Sequence, residues 1–134
     1  MNLFDHFRHQ VLGLIDALVS DGILSEGLET SRIGVEPPRE ASHGDITTNA
    51  AMVLAKRAGK APRDIATLLA GRLGARDGIA AVDVAGPGFV NITLDPAFWR
   101  GRLDDILQNG EAYGTSAVGG GRKINIEYVS ANPT

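Results

Sequence analysis

The sequence predicts a two-layer α+β domain, in which a small antiparallel sheet packs against about four helices. Two patterns lead to this prediction. Four segments carry apolar residues at helical spacing, and one segment alternates apolar and polar residues around a Gly-Pro-Gly turn. With 134 residues, of which 43% are hydrophobic and 22% charged, the chain is also long and apolar enough to bury one core.

The first predicted element is a helix over Asn2–Ser20. Its core-facing stripe consists of apolar residues three or four positions apart, namely Leu3, Phe7, Val11, Leu14 and Leu18. A short edge strand follows at Ile33 and Val35. It ends at Pro37-Pro38, because proline has no backbone N–H with which to extend a strand ladder.

Two helices are predicted next. The first runs from Thr47 to Arg57, with Asp45 or Thr47 as its N-cap, and ends before Gly59. The second, Pro62–Leu73, begins with a proline, which suits the first turn of a helix. Its apolar stripe consists of Ile65, Leu68, Leu69 and Leu73.

The segment Ile79–Leu94 predicts a β-hairpin around the turn Gly86-Pro87-Gly88. Alternation divides its second strand into two sets of side chains: Val90, Ile92 and Leu94 on one side, and Phe89, Asn91 and Thr93 on the other. If the aliphatic set faces the core, Phe89 and Asn91 point outward together.

Asp95 and Pro96 begin the last predicted helix, Pro96–Gln108. Its apolar residues are expected to form a buried stripe of Trp99, Leu103 and Ile106. The Gly-rich stretch Gly114–Arg122 has the composition of a linker, and Lys123–Val129 alternates like one more strand. Because nothing follows that strand to pack on it, the chain is expected to be a fragment of a longer protein.

Composition narrows the possible functions. The absence of cysteine excludes disulfides, Cys-ligated zinc and a thiol nucleophile, and fits a reducing, cytoplasmic setting. No apolar run approaches the roughly 18 residues of a membrane span. The net charge of −3 argues against binding nucleic acid by charge alone, although residues 46–76 carry six basic side chains against Asp64 as the one acid.

Two histidine patterns give only weak signals. His6 and His9 lie three positions apart, but no third metal ligand is evident, so no metal site is expected. His43 and Asp45 could act as an acid–base pair of a stand-alone enzyme, but the sequence shows no nucleophile with a defined partner. Helix capping is the stronger prediction for Asp45.

The outward pair Phe89 and Asn91 suggests nucleic-acid binding. An aromatic ring can stack on an unpaired base, and an amide can hydrogen-bond a base edge. The competing interpretation is that a helix or another domain covers both side chains.

Four segments then stand out in order: His43–Ala51, Leu54–Lys56, Gly86–Ile92 and Ile126–Thr134. Together they resemble the N-terminal part of bacterial-type arginyl-tRNA synthetases, and the resemblance covers essentially the whole chain. The last segment is the most specific, because in the family it directly precedes the family's form of the class I His-Ile-Gly-His signature.

The resemblance implies two parts. Residues 1–113 would be the N-terminal additional domain, which contacts the D-loop and elbow of arginine tRNA. Residues 114–134 would be a linker and the first strand of the Rossmann-type catalytic domain. The complete enzyme, a class I aminoacyl-tRNA synthetase, would attach arginine to its tRNA using ATP with Mg²⁺ in the cytoplasm. This fragment is expected to hold no catalytic residue and no cofactor, and to be inactive alone.

The expected tRNA-binding residues are Phe89, Asn91, Gly86, Lys56, Arg57, Lys60 and Arg63. The resemblance implies that Glu127, Ser130 and Asn132 line the arginine pocket of the complete enzyme, since a carboxylate suits a guanidinium. The expected partners are arginine tRNA and the enzyme's own catalytic and anticodon-binding domains, in a monomer. The alternative is a scaffold that orients those domains with little tRNA contact, and the exposure of Phe89 discriminates between the two.

Overall fold

The computed structural model describes residues 2–126. The helices are α1 (Leu3–Ser20), α2 (Ala50–Ala58), α3 (Pro62–Leu73) and α4 (Pro96–Asn109), and short 3-10 turns occupy Ala41–His43 and Gly110–Ala112. The strands are β1 (Val35–Glu36), β2 (Ile46–Thr48), β3 (Ile79–Ala85) and β4 (Phe89–Leu94). These elements confirm the predicted α+β class. Within the described range, no helix combines the length and apolar character needed to cross a membrane.

The sheet has the strand order β1-β2-β4-β3, and every neighbouring pair is antiparallel. The core lies between one face of this sheet and helices α1, α2 and α3. Val90, Ile92 and Leu94 are buried there, which confirms the predicted alternation of β4. All of the buried apolar residues fall between Phe7 and Leu94 in the described part of the chain, so the core is complete before α4 begins.

Local signals define most helix ends. The side chain of Asn2 accepts hydrogen bonds from the N–H groups of Phe4 and Asp5, which caps α1. Pro62 occupies the first turn of α3, as predicted. Asp95 caps α4 by accepting from the N–H of Ala97 at 2.6 Å. These boundaries depend on neighbouring residues, which is why the sequence predicts them.

The helix predicted over Thr47–Arg57 is wrong at its start. Ile46–Thr48 form strand β2, which pairs with both β1 and β4, and α2 begins only at Ala50. The predicted cap is also wrong, because Asp45 Oδ2 accepts from the N–H of Leu94 at 2.8 Å instead of capping a helix. The physical reason is that three β-branched residues find partners on a strand distant in sequence.

The buried stripe predicted for α4 is wrong as well. Trp99 is 42% exposed, Leu103 60% and Ile106 39%. The helix is attached instead through Phe98, whose ring centroid lies 5.9 Å from that of Phe7. An apolar stripe predicts that a helix has an apolar face, but not that the same chain covers it.

Residues 113–126 follow the second 3-10 turn without helix or strand. The strand predicted over Lys123–Val129 is therefore not formed in its described portion. The remainder, together with the predicted arginine-pocket residues Glu127, Ser130 and Asn132, lies outside the described residues.

Candidate nucleic-acid interface

The face of the sheet turned away from the helices carries a row of polar side chains. The strand register pairs Glu36 with Thr47, Thr47 with Asn91, and Asn91 with Asp83. Alternation places this row on the side opposite the core-facing residues Val90, Ile92 and Leu94 of β4. One line of polar groups thus crosses all four strands.

Two members of this row are joined by a buried hydrogen bond. Thr47 Oγ1 donates to Asn91 Oδ1 at 2.7 Å. Asn91 lies on the predicted outward face, but it is only 7% exposed. Its Nδ2 group has no hydrogen-bond partner within residues 2–126 and is not sealed from solvent, which leaves it available as a donor.

A loop of residues 37–44 lies next to Asn91 on this face of the sheet. Gly44 passes so close to β4 that a Cβ atom would lie 2.8 Å from the carbonyl oxygen of Ile92, and its φ of +91° favours glycine. The next residue, Asp45, donates its N–H to the same Ile92 oxygen at 2.9 Å. The loop is therefore fixed against β4 at its end, beside Asn91.

An open cavity of about 430 Å³ lies between this loop and the hairpin turn. Its lining residues are Glu36, Pro37, Pro38, Arg39, Glu40, His43, Thr47, Ala85, Gly86, Pro87, Phe89 and Asn91. Three prolines and the Phe89 ring make its walls apolar, and the Asn91 amide supplies a polar group at the sheet. A concave apolar site with a few placed polar groups is typical of ligand binding.

Phe89 forms part of this cavity at the hairpin turn and is 37% exposed. Its ring is therefore partly covered and partly open to solvent. The turn itself is fixed on α3: a Cβ at Gly88 would lie 3.0 Å from Pro62, and Arg63 Nη1 donates to the carbonyl oxygen of Gly86 at 2.8 Å. Phe89 is thus presented to solvent from a rigid support.

The predicted cations fall into two groups. Arg63 supports the turn beside the cavity, and Lys60 is exposed in the connection between α2 and α3. Lys56 and Arg57 instead line a second cleft, of about 490 Å³, together with Arg32. The structure therefore does not bring all four basic residues predicted to bind tRNA to Phe89.

The second cleft is the more positive of the two. Its three cations face one carboxylate, Glu29. The N–H of Ser31 donates to Glu29 at 2.9 Å and holds the pKa of that carboxyl below its ordinary value, so Glu29 stays ionised at neutral pH. In the cavity at Phe89, by contrast, Arg39 faces the two carboxylates of Glu36 and Glu40.

The acid–base alternative gains no support from the geometry. His43 lines the cavity, but Asp45 is engaged by the N–H of Leu94. The Thr47 hydroxyl, which also lines the cavity, donates to Asn91. On α1, His9 Nδ1 lies 2.7 Å from the carbonyl oxygen of Asp5, and the described residues form no metal-binding cluster around it.

Thr47 and Arg39 line the cavity but are not among the residues that the sequence predicts to bind tRNA. The sequence predicts a helix at Thr47, although the β-branched run Ile46–Thr48 is typical of a strand. Arg39 lies beside Phe89 only because of the folded path of residues 37–44. No local pattern predicts that path.

Comparison with known proteins agrees with the architecture. Residues 6–94 match the family described as the arginyl tRNA synthetase N terminal domain. All 134 residues align with arginine–tRNA ligases: identity is 58% to that of Jannaschia sp. and 54% to those of Parvibaculum lavamentivorans and Rhodospirillum rubrum. The chain spans 23% of the length of each of these relatives. The chain therefore belongs to the arginyl-tRNA synthetase N-terminal domain family.

Proposed function

We propose that this chain is the tRNA-recognition domain of an arginine–tRNA ligase and that it binds an unpaired nucleotide of the D-loop or elbow of arginine tRNA. The observation that carries this proposal is the exposed Phe89 ring, which shares one cavity with the Asn91 amide. Sequence-specific proteins that bind RNA read unpaired bases by combining stacking with hydrogen bonds to base edges.

Each part of the cavity has a role in this proposal. The base stacks on Phe89, and Asn91 Nδ2 donates a hydrogen bond to an acceptor on its edge. Thr47 holds the amide through its bond to Oδ1, which orients Nδ2 before the ligand arrives. The three prolines, Pro37, Pro38 and Pro87, limit the width of the site without adding polar groups that would have to be desolvated.

Phosphate contacts come from outside the cavity. Arg63 lies at the edge of the cavity, because it bonds to the hairpin turn at Gly86. Lys60 and the second cleft, with Lys56 and Arg57, supply further contacts along the RNA backbone. Since the net charge of the chain is −3, these few cations must act locally.

The proposal extends to the complete enzyme. It would be a cytoplasmic, monomeric class I ligase that attaches arginine to its tRNA, with ATP and Mg²⁺ bound by its catalytic part. Glu127, Ser130 and Asn132 would line the arginine pocket of that enzyme. The present chain would supply tRNA recognition and no catalytic group.

A scaffold role is the second candidate. The cavity shared by Phe89 and Asn91 favours recognition, because a scaffold alone would not require an amide donor held beside the ring. The exposed apolar side of α4, however, favours an additional contact with another domain.

The test is NMR shift mapping of the chain titrated with arginine tRNA, with a non-cognate tRNA as control. The proposal predicts shifts centred on residues 86–93 and on Thr47, and weaker or absent shifts with the control. Equal, scattered shifts with both tRNAs would contradict it, and so would shifts confined to α4.

A further inference from the structure

Helix α4 exposes an apolar surface at the end of the domain remote from Phe89. Trp99, Leu103 and Ile106 line a cavity of about 410 Å³ together with Leu3 of α1 and Tyr113. All three side chains of α4 are substantially exposed. Grouped apolar residues on a surface mark interaction sites, whereas single exposed ones need no explanation.

The orientation of α4 is fixed by contacts of Phe98. Its apolar side is therefore exposed in a packed helix and is not a core-facing side that failed to pack. Phe98, on another side of the helix, packs against Phe7 and approaches Gly78, where a Cβ would lie 3.1 Å from its ring. The guanidinium of Arg102 lies 5.2 Å from the Phe98 ring centroid and pairs with Asp105 at 2.9 Å. These contacts hold Trp99 toward solvent.

The position of the surface along the chain indicates what covers it. The family match ends at residue 94, directly before α4, and the buried core is also complete at Leu94. The curated relatives are more than four times as long as this chain, which spans 23% of each. Because the matched family is an N-terminal domain, the additional part of a relative follows α4, and Tyr113 of the cavity lies on the segment that leads to it.

We propose that the surface formed by Trp99, Leu103, Ile106, Leu3 and Tyr113 docks onto the catalytic part of the ligase, with Trp99 as its central anchor. Large aromatic side chains in desolvated pockets dominate the binding energy of interfaces. The occupant is the portion of the same enzyme that follows α4. This inference rests on the proposed role within a ligase, but not on tRNA binding by Phe89.

The test uses the one tryptophan of the chain, Trp99, as a probe. The chain is labelled with 5-fluorotryptophan and studied by fluorine NMR in two forms. One form is the isolated chain. In the other, the ligated protein, the chain is joined by a peptide bond to the part of the Jannaschia sp. arginine–tRNA ligase that follows the 134 aligned residues. The solvent isotope shift, which is the change in the fluorine chemical shift between H2O and D2O, reports whether the Trp99 ring contacts water. The proposal predicts that this shift is present in the isolated chain and lost in the ligated protein.

Two substitutions on α4 sharpen the test. Leu103→Ser removes an aliphatic group that lines the cavity, whereas Leu107→Ser removes one from a residue that is 79% exposed and does not line it. In the ligated protein, Leu103→Ser is expected to restore the isotope shift and Leu107→Ser to leave it absent. Circular dichroism of both variants checks that α4 remains folded.

Three results would overturn the docking proposal: a full isotope shift in the ligated protein, equal effects of the two substitutions, or loss of the shift in the isolated chain as its concentration rises. The last would identify a second copy as the occupant.

Arginylation of tRNA by the ligated protein is measured in parallel. An active ligated protein with an exposed Trp99 would refute docking alone, while a docked but inactive protein would count against the ligase role alone.

Discussion

At the scale of single residues, the site depends on how one amide is held. Asn91 is nearly buried, and its Oδ1 accepts a hydrogen bond from the Thr47 hydroxyl at 2.7 Å. An amide fixed in this way loses little side-chain freedom when a base binds. Thr47 therefore acts as a positioning residue for Asn91, although it need not touch the ligand.

Replacing Thr47 with valine tests this role. Valine keeps the branched shape but removes the hydroxyl, so Asn91 loses its partner while the strand packing remains. We expect the free energy of arginine-tRNA binding to weaken by about 0.5–1.5 kcal/mol, the usual value of one hydrogen bond. Isothermal titration calorimetry measures the change. Thr47→Ser restores the hydroxyl and should bind like the parent chain; a serine variant as weak as the valine variant would refute the role of the hydroxyl.

Gly44 tests how the loop is held. Its φ of +91° and ψ of −155° belong to a region that is essentially restricted to glycine, and a Cβ would meet the Ile92 carbonyl. Gly44→Ala should lower the free energy of unfolding by about 1–3 kcal/mol or more, measured by urea denaturation. Gly22→Ala is the matched control, because Gly22 also has a positive φ but nothing within 4 Å of its Cβ position. An equal loss in both variants would show that close packing of the loop on β4 is unimportant.

At the scale of elements, the hairpin and α3 are predictable from sequence, because their signals are local. Gly86-Pro87-Gly88 sets the turn, alternation sets the faces of β4, and Pro62 sets the start of α3. Strand β2 is not predictable in this way. Its three residues become a strand because β1 and β4 offer hydrogen bonds on either side. The pairing with β4 joins positions more than 40 residues apart, as in Thr47 with Asn91.

Helix α4 is predictable from sequence, but the burial of its apolar residues is not. The sequence shows its apolar residues, but whether they are buried depends on what the rest of the molecule provides. The candidate site divides similarly. Strand alternation predicts that Phe89 points outward, while the cavity beside it depends on the path of residues 37–44, which no local pattern encodes.

Two adjacent aromatic residues, Phe98 and Trp99, test which side of α4 packs on the core. Phe98 packs on the core and Trp99 does not, which is the reverse of the burial predicted for Trp99. In the 134-residue chain, Phe98→Ala should cost roughly 1–3 kcal/mol of unfolding free energy, less than a fully buried phenylalanine because Phe98 is partly exposed. Trp99→Ala should change it by no more than about 0.5 kcal/mol. Urea denaturation measures both changes in unfolding free energy. A larger loss of unfolding free energy for Trp99→Ala than for Phe98→Ala would contradict the orientation of α4.

At the scale of the whole molecule, the hairpin separates two surfaces. Phe89 lies at one end of β4 and α4 begins beyond the other, so six residues, or about 20 Å of strand, separate the two ends. Recognition at one end and docking at the other are therefore compatible. A rigid sheet between them would fix the position of the bound RNA relative to a docked partner.

The charge distribution predicts a weak dependence of tRNA affinity on salt. With a net charge of −3 and few local cations, the plot of log affinity against log salt should have a shallow slope. Lys56→Gln should reduce that slope by about 0.7–0.9 if Lys56 contacts one phosphate. Phe89→Ala should weaken binding at every salt concentration without changing the slope. If the slope is unchanged in Lys56→Gln, the second cleft does not contact the bound tRNA.

The most direct test of the account is the affinity of arginine tRNA for Phe89→Ala, compared with the parent chain. The matched control is Tyr113→Ala, which removes a similarly exposed aromatic ring at the opposite end of the domain. Because stacking on an aromatic side chain contributes about 1–3 kcal/mol per base, Phe89→Ala should bind roughly 5- to 150-fold more weakly, and Tyr113→Ala should bind normally. A folded Phe89→Ala variant with unchanged affinity would contradict the account.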